Sequence, residues 1–409
     1  MLPKHKSQKL VGFLAYKTKV QTADFKVNEI VDVTPNPNGQ FILYRLTKEG
    51  WNTVDALIRI AKASHIKLTD IQYGGKKDRH GITSQYITSK SVLKLADIFG
   101  SSVTLEQVGR CSTPMNPNRI VANQFELIIR SIQPTELIQL QHNFNSIKDF
   151  GFTNYFDSQR FSTFDRIEGL PAFSLYKGDY ESCLKQMLLG VFRREKSHTK
   201  DRKANLLKLW GNWTACLRQT DIKTEQKVFE LLLRNDTSST KMPFQEPFRQ
   251  ALELLPFEEL LMMLSAFQAY LWNQLVSNYI QSNVSNSACF KTRSGILAFP
   301  PPKIDLINEL SLPGENEVYS TEFRQLLDQI LNHLQLSPNC TQTAPLKKAT
   351  MNSYLRPITI IPTDFSITDI QDDDLESKQT RLKAKLSFKL PKGAYGTMLI
   401  KRLTVRSRF

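Results

Sequence analysis

The residues most able to do chemistry lie in a short basic segment, where Asp78 stands between Lys77 and Arg79. Two glycines precede this segment and a β-branched run, residues 82–88, follows it, which predicts a tight turn leading into a strand. Neighbouring cations favour the ionised form of a carboxylate, the form that acts as a nucleophile. Such a turn on a basic protein suits a carboxylate acting on a polyanion. A solvated charged turn is the simpler alternative.

A second segment, residues 154–162, combines aromatic rings, amides and a cation in the order Asn-Tyr-Phe-Asp-Ser-Gln-Arg-Phe-Ser. Recognition of a base flipped out of an RNA helix uses a stacking ring, amide groups for the base edge and a cation for phosphate. The segment contains all three. Aromatic core packing is the simpler explanation.

The charge balance favours a polyanionic partner. The 409 residues include 54 Lys and Arg against 39 Asp and Glu, a formal net charge of +15. Such an excess is typical of proteins that bind nucleic acid or an anionic surface. The hydrophobic fraction of 41% predicts real cores, and the length predicts two to three domains.

The localisation predicted from the sequence is cytoplasmic. No apolar stretch follows the first residues, so no secretory signal is expected, and polar residues interrupt the longest apolar stretch, residues 260–276, which predicts a buried helix rather than a membrane span. The five cysteines are far apart, with no Cys-x-x-Cys, and are expected to be free thiols.

Common cofactor motifs are missing from the sequence. It contains no G-x-x-x-x-G-K-[ST], no G-x-G-x-x-G after a strand and no H-E-x-x-H. We therefore expect chemistry that uses neither a nucleotide cofactor nor a metal.

Alternating apolar residues predict the strands that must position these groups. Residues 25–33, 41–47, 123–132 and 382–390 read as strands, the last with lysines on its outer face. Glu29 falls on an apolar strand face, which is costly for a carboxylate without a partner. Lys19 is the expected partner, and an edge position open to solvent is the alternative.

Between these strands the pattern is helical from about residue 166, with a long apolar helix over 257–280. Strands return after about residue 350, which predicts one β-rich domain interrupted by a helical insertion. The basic stretch 193–208 is either a solvated helix face or a phosphate-binding surface, and the acidic run 371–376 is expected to be a solvated loop.

Taken together, several separated segments resemble the TruD family of tRNA pseudouridine synthases, in the family's order, over about residues 13–165 and 350–405. The matching segments are Lys19 with Asp24-Phe25-Lys26-Val27-Asn28-Glu29, Gly75-x-Lys77-Asp78-Arg79-x-x-x-Thr83-x-Gln85, Asn123-x-Phe125, Asn154-Tyr155-Phe156-x-x-Gln159-Arg160-Phe161, and Phe388-x-Leu390-Pro391-x-Gly393-Ala394-Tyr395-x-Thr397.

The resemblance implies an α+β pseudouridine synthase core with a mixed, largely antiparallel sheet, in residues 1–165 and 350–409. A mainly helical TRUD insertion domain would occupy residues 166–349. Asp78 falls on the family's catalytic aspartate. The substrate-binding positions that the matching motifs imply are Phe25, Asn154 and Tyr395 in the uridine pocket, Phe156 as a packing or stacking ring, Lys19 and Glu29 as a charged network behind the aspartate, and Lys77, Arg79, Gln85, Asn123, Gln159 and Arg160.

The implied reaction isomerises a uridine of tRNA, at position 13, to pseudouridine. The uridine leaves the RNA stack, Asp78 attacks the ribose anomeric carbon or the uracil ring or removes a sugar proton, the glycosidic bond breaks, and a carbon–carbon bond forms. Such an isomerisation requires no cofactor, and a monomer suffices. The alternatives are a non-catalytic RNA-binding protein on the same fold and a pseudouridine synthase acting on another RNA.

Several positions depart from the family pattern without removing the aspartate. Gly81 replaces the usual alanine, Asp157 and Ser162 replace glycines, Ala122 replaces a glycine, and Arg402 stands where a glutamate is common. Arg402 is expected to alter the local charge network.

Overall fold

The computed structural model describes residues 10–161, 169–191, 195–239, 242–376 and 380–407. The chain forms two compact units, one built from Gly12–Asn154 with Ile360–Arg408 and the other mainly from Tyr155–Thr359. The predicted boundaries after residues 165 and 349 lie inside the second unit rather than at its ends. At the first boundary this is because the rings of Tyr155 and Phe156 pack edge-on against Trp272 of that unit.

The elements, in chain order, have the following bounds. The strands are β1 Phe25–Val31, β2 Phe41–Glu49, β3 Ile71–Tyr73, β4 Ile82–Ser89, β5 Val103–Cys111, β6 Ile120–Ile132, β7 Phe152–Thr153, β8 Ala288–Thr292, β9 Gly295–Phe299, β10 Glu309–Ser311, β11 Leu355–Pro357, β12 Thr359–Ile360, β13 Thr363–Asp372 and β14 Leu382–Pro391. The α-helices are α1 Thr53–Ala63, α2 Leu137–Phe150, α3 Pro171–Tyr176, α4 Tyr180–Leu189, α5 Ser197–Lys208, α6 Trp213–Gln219, α7 Lys223–Thr237, α8 Glu246–Glu253, α9 Phe257–Asn283, α10 Thr321–His333 and α11 Gly396–Thr404.

The first unit is organised around one sheet with the strand order β13-β14-β6-β1-β4-β2-β5, and β3 pairs with β4. The β1–β4 pair is parallel, and the other pairs in this sheet are antiparallel. The predicted mixed, largely antiparallel sheet is therefore confirmed. The four strands predicted from alternation correspond to β1, β2, β6 and β14.

Strand β1 lies in the middle of the sheet because apolar residues alternate along it and both edges pair. Val27 stands opposite Phe125 of β6 on one side and Thr83 of β4 on the other. The parallel register places Ile82, the first residue of β4, beside Lys26 near the start of β1. The turn that contains Asp78 ends immediately before Ile82, so it arrives beside the first residues of β1.

Strand β2 and helix α1 enclose a core next to this turn. Ile42, Tyr44 and Leu46 alternate along β2 and pack in one cluster with Leu57 and Ile60 of α1. Burial of side chains of this size stabilises the fold by about 1.5–3 kcal/mol each. The end of β2 and the start of α1 are thereby held on a rigid base.

The lysines on the outer face of β14 are paired with acids. Lys383 contacts Asp374 at 2.6 Å, Lys389 contacts Asp364 at 2.6 Å, and Lys385 lies 3.5 Å from Glu126. The predicted cationic face is therefore largely neutralised by its neighbours.

The second unit is mainly helical, and its central helix is the predicted apolar helix. Helix α9 is largely buried, and Trp272 on it donates its ring N–H to the Leu310 carbonyl at 3.2 Å. No single helix among the described residues is long and apolar enough to cross a membrane, although the bent pair of α8 and α9 meets that length and composition when taken together.

Candidate active site

Asp78 lies in the turn between β3 and β4, and its carboxylate is bound by Lys19. Lys19 Nζ donates to Asp78 Oδ2 at 2.8 Å, and both side chains are about 30% exposed. The same ammonium lies 3.6 Å from the centroid of the Phe25 ring. A cation held by a carboxylate and an aromatic face has little freedom to move. The carboxylate is therefore oriented while remaining accessible.

Glu29 has a different partner from the one that the sequence suggested. Its Oε1 lies 2.7 Å from Lys77 Nζ, and its Oε2 accepts the backbone N–H of Tyr86 at 3.1 Å. Lys77 also donates to Asn123 Oδ1 at 2.6 Å. The expectation of a Lys19–Glu29 pair is wrong because Lys19 is engaged by Asp78. The alternative of a solvent-facing Glu29 is also wrong, since this residue is 5% exposed.

Side chains behind the turn hold its backbone. Gln85 Nε2 donates to the Gly75 carbonyl at 3.0 Å, and Thr53 Oγ1 donates to Gln85 Oε1 at 3.0 Å and accepts the Lys77 N–H at 2.9 Å. Arg79 Nε donates to the Gly50 carbonyl at 2.9 Å. In this structure Lys77, Arg79 and Gln85 thus bind the protein itself. Their contribution to substrate binding stays a prediction.

Lys48 also belongs to this site and was missed by the sequence analysis. Its Nζ donates to the carbonyls of Trp51, Lys77 and Asp78, at 2.8, 3.3 and 2.8 Å. Burial lowers the pKa of Lys48 to about 8, while Asp78 raises it and Lys77 lowers it. The available sequence signal was a lysine that follows Ile42, Tyr44 and Leu46 at alternate positions of one strand.

Two glycines permit close approach at this turn. A Cβ on Gly74 would lie 2.6 Å from the Ile120 side chain. Gly81 has a φ of +153°, and a Cβ there would lie 2.5 Å from the Phe25 carbonyl oxygen and 2.6 Å from its ring. Gly81, a departure from the family pattern, therefore lets the turn approach the Phe25 strand closely.

Arg130, which the sequence analysis also missed, holds the loop that carries Lys19 in place through hydrogen bonds on both sides of it. The backbones of Arg130 and Lys17 form two hydrogen bonds with each other, both 2.9 Å long. The Arg130 guanidinium donates to both carboxylate oxygens of Asp24. The two contacts bracket Lys19, which adopts a φ of +57°. The hydrogen bonds that Arg130 donates to Asp24 raise the pKa of the guanidinium.

The same guanidinium binds Asp373 at 2.7 Å and Asp374 at 2.6 Å. Asp373 is 5% exposed, so the expectation of a wholly solvated acidic loop is wrong at this residue. Burial of Asp373 opposes its ionisation, yet hydrogen bonds from Arg130, Ser131 and Leu375 hold its pKa below the ordinary value.

Asn154 and Tyr395, the other predicted pocket residues, lie in the first unit with Asp78. Asn154 is buried and follows β7 directly. Tyr395 is the N-cap residue of α11, where its carbonyl accepts the N–H of Met398 at 2.9 Å. Their place in a uridine pocket stays a prediction.

Phe156, Gln159 and Arg160 belong to the second unit. The Phe156 ring is 4% exposed and packs against Trp272 and against the guanidinium of Arg356, whose central carbon lies 3.9 Å from the ring centroid. This environment corresponds to the packing role among the two roles considered for Phe156. Arg160 has its guanidinium carbon 5.5 Å from the same ring, and Gln159 is exposed.

The remaining departures from the family pattern lie apart from these contacts or outside the described residues. Arg402 is buried and donates to Ser146 Oγ of α2 at 2.8 Å, and burial lowers its pKa to about 10. Asp157 Oδ1 accepts the Ser158 N–H, and Ala122 stands opposite Ile30 within the sheet. Ser162 lies outside the described residues.

The basic stretch 193–208 is only partly described, since residues 193 and 194 fall outside the description. Within it, Arg202 pairs with Glu225, and Lys203 contacts Glu195 at 2.6 Å. Across the residues that the structure describes, no group of three or more His, Cys, Asp or Glu is arranged to hold a metal ion.

The class of protein follows from the fold. The structure superposes on a crystal structure described as TruD from Methanosarcina mazei with a TM-score of 0.68 and 19% sequence identity, covering 96% of this chain and 94% of that one. This likeness identifies an α+β fold of the TruD class.

Sequence relatives define the family more narrowly. A relative named tRNA pseudouridine synthase D, from Leptospira interrogans, is 38% identical over 411 residues, covering 98% of this chain and 99% of its own length. A Methanococcus maripaludis relative, named probable tRNA pseudouridine synthase D 1, is 28% identical and covers 95% of this chain and 99% of its own. The family model of tRNA pseudouridine synthase D (TruD) matches residues 15–291, and the chain belongs to this family.

Proposed function

We propose that this chain isomerises a uridine of tRNA, at position 13, to pseudouridine, with Asp78 as the catalytic carboxylate. The observation that carries the proposal is the Lys19–Asp78 contact at 2.8 Å beside the Phe25 ring, in a member of the TruD family. An accessible carboxylate, oriented by a cation and next to an aromatic face, is a suitable group to act on an extruded nucleotide.

The reaction conserves the elemental composition of the substrate, because uridine and pseudouridine are isomers. The bond between ribose C1′ and uracil N1 breaks, a bond between C1′ and uracil C5 forms, the proton on C5 is lost, and N1 gains one. Asp78 supplies the carboxylate that assists this exchange, and Lys19 keeps that carboxylate in place throughout. The chain acts as a monomer in the cytoplasm under this proposal.

The test is incubation of the purified chain with an unmodified tRNA transcript, followed by mapping of pseudouridine at single-nucleotide resolution. We expect one new pseudouridine at position 13, no product from a transcript with cytidine there, and no product from Asp78→Asn. Asp97→Asn, the same chemical change at an exposed residue of the same unit, is the matched control and should retain activity.

Three outcomes would contradict parts of the proposal. Product from Asp78→Asn at a rate near that of the unmodified enzyme would exclude Asp78 as the catalytic group. Product at another tRNA position, or only on ribosomal or messenger RNA, would overturn the assigned target. Salt-sensitive binding of tRNA without any product would favour the non-catalytic RNA-binding alternative.

A further inference from the structure

Lys48 is a buried cation on an otherwise apolar strand face. It lies at the penultimate position of β2 on the apolar face that carries Tyr44 and Leu46, and it is 1% exposed. Removal of an ammonium from water costs several kcal/mol unless other groups replace its hydration. A methionine or leucine would fill such a position without that cost. The buried ammonium therefore indicates a role other than packing.

The three ammonium protons of Lys48 match three backbone carbonyls. Trp51 supplies one from the segment that joins β2 to α1, and Lys77 and Asp78 supply the others from the turn before β4. A lysine ammonium has three donors and no acceptor, so these contacts use its full capacity. One buried side chain thereby ties the end of β2 to the backbone of Asp78 itself.

The contacts of Lys48 differ from those of Lys19. Lys19 binds the carboxylate of Asp78 from the accessible side, whereas Lys48 binds the main chain of the same residue from the core side. Because Lys48 does not reach the surface, it does not contact RNA phosphates. A change at Lys48 should therefore alter the placement of Asp78 and leave tRNA binding intact.

We propose that Lys48 is a positioning residue of the isomerisation, which fixes the Asp78 backbone so that the carboxylate meets the uridine in the reactive geometry. The proposal rests on the proposed function of Asp78 and extends it to a residue that touches no substrate. A displacement of about 1 Å of a catalytic group can reduce a rate by on the order of 100-fold.

The charge on Lys48 also makes the arrangement sensitive to pH. With a pKa of about 8, the ammonium loses a proton in mildly alkaline solution, and one of its three carbonyl partners then loses its donor. The charged groups that act on Lys48 are Asp78 and Lys77, both of the turn. Its partners in register, Thr83 of β4 and Val103 of β5, carry no charge.

The experiment compares Lys48→Met and Lys48→Arg with the unmodified enzyme in single-turnover assays on the tRNA transcript, together with measurements of tRNA affinity. We expect Lys48→Met to reduce the single-turnover rate by about 100-fold while the Kd for tRNA changes by less than about threefold. Lys48→Arg, which keeps its charge at all pH values used, should recover part of the rate. A normal rate in a folded Lys48→Met enzyme, or an equal loss of rate and affinity, would overturn the proposal.

A pH profile keeps the proposal testable if Lys48→Met fails to fold. The unmodified enzyme should lose single-turnover rate as the pH rises through about 8, at constant tRNA affinity, and Lys48→Arg should lack this decline. A rate that stays level from pH 7 to 9.5 would overturn the proposal. If the unmodified enzyme makes no pseudouridine at any pH, the proposed function itself fails, which separates that outcome from a failure of the Lys48 assignment.

Discussion

Replacement of Arg130 by methionine tests whether its buried charge cluster supports the loop that carries Lys19. The substitution keeps a long apolar stem and removes the guanidinium, leaving Asp24 and Asp373 without their cation. Both carboxylates are almost fully buried, at 1% and 5% residue exposure. Breaking a buried ion pair by removing one partner costs about 3–5 kcal/mol.

The retained hydrogen bonds place the expected loss near the lower end of that range. Asp24 still accepts the Gln21 N–H at 2.9 Å, and Asp373 still accepts the Ser131 N–H at 2.9 Å and the Leu375 N–H at 3.3 Å. We therefore expect a local loss of about 3 kcal/mol in Arg130→Met. The loss is largest at neutral pH.

Acid should reduce this difference, and the sign follows from Asp373. In the unmodified chain its pKa lies below the ordinary value of 3.8, so its stabilising contribution is present above that value and is lost as the pH falls through the lower folded value. Without Arg130 the buried Asp373 carboxylate loses a hydrogen bond that favours its ionised form, so it binds a proton more readily and the unpaired charge is relieved. The difference between the two proteins should therefore be smaller at pH 3, below the ordinary value of 3.8, than at pH 7.

Hydrogen-exchange mass spectrometry of peptides from β6 and β14 measures this local opening free energy without assuming two-state unfolding of both units. Arg59→Met, the same change at an exposed position of α1, is the control and should have almost no effect. Addition of Asp24→Asn and Asp373→Asn to Arg130→Met should restore part of the loss. A loss below about 1 kcal/mol, as for a surface pair, or an equal loss at both pH values would refute the reasoning.

Three further predictions concern other contacts of the structure. Lys19→Met should lower the turnover rate by about 100-fold with little change in tRNA affinity. Lys17→Met, a control at a mainly exposed lysine, should leave the turnover rate unchanged, and equal rates for the two variants would contradict the role of Lys19. Tyr155→Phe should cost about 1–2 kcal/mol in urea unfolding, because the buried Ala298 carbonyl loses its 2.8 Å donor, and an unchanged midpoint would count against that bond. Finally, the pKa of Lys48 falls from 10.5 to about 8 on folding, so the unfolded chain binds more protons between these pH values and the Lys48 contribution to stability should rise with pH in that window. Unfolding of the unmodified chain and of Lys48→Met at pH 7.5 and 9.5 measures this contribution. A contribution that falls with pH would contradict the lowered pKa.

The sequence predicted the elements of the site better than its contacts. Period-two alternation in β1, β6 and β14 is a local signal, and the turn around Asp78 is visible from its glycines and charges. The partner of Glu29 is not a local property. It depends on the parallel register of β1 with β4, which brings Lys77 beside Glu29 and leaves Lys19 to Asp78.

The burial of Lys48, Arg130 and Asp373 was not predicted from the sequence, for a related reason. Each resembles an ordinary polar residue of a strand or loop, because the pattern within one segment does not reveal which other segments cover it. Their burial arises from groups distant in sequence: Asp78 over Lys48, and Asp373 over Arg130, 243 residues along the chain. Thr53, the first residue of α1, is a further example, because its hydroxyl donates to Gln85 and accepts the Lys77 backbone N–H.

The tight fit at Gly81 has a consequence for how this chain can evolve. An alanine at residue 81 would place its methyl carbon 2.5 Å from the Phe25 carbonyl oxygen, so a Gly81→Ala substitution requires β1 to move as well. A substitution at residue 81 therefore requires a compensating change in the first residues of β1. A chimera that takes residues 74–81 from a relative with alanine at residue 81, but keeps its own Phe25 strand, would bring the alanine methyl group into conflict with the Phe25 carbonyl and ring.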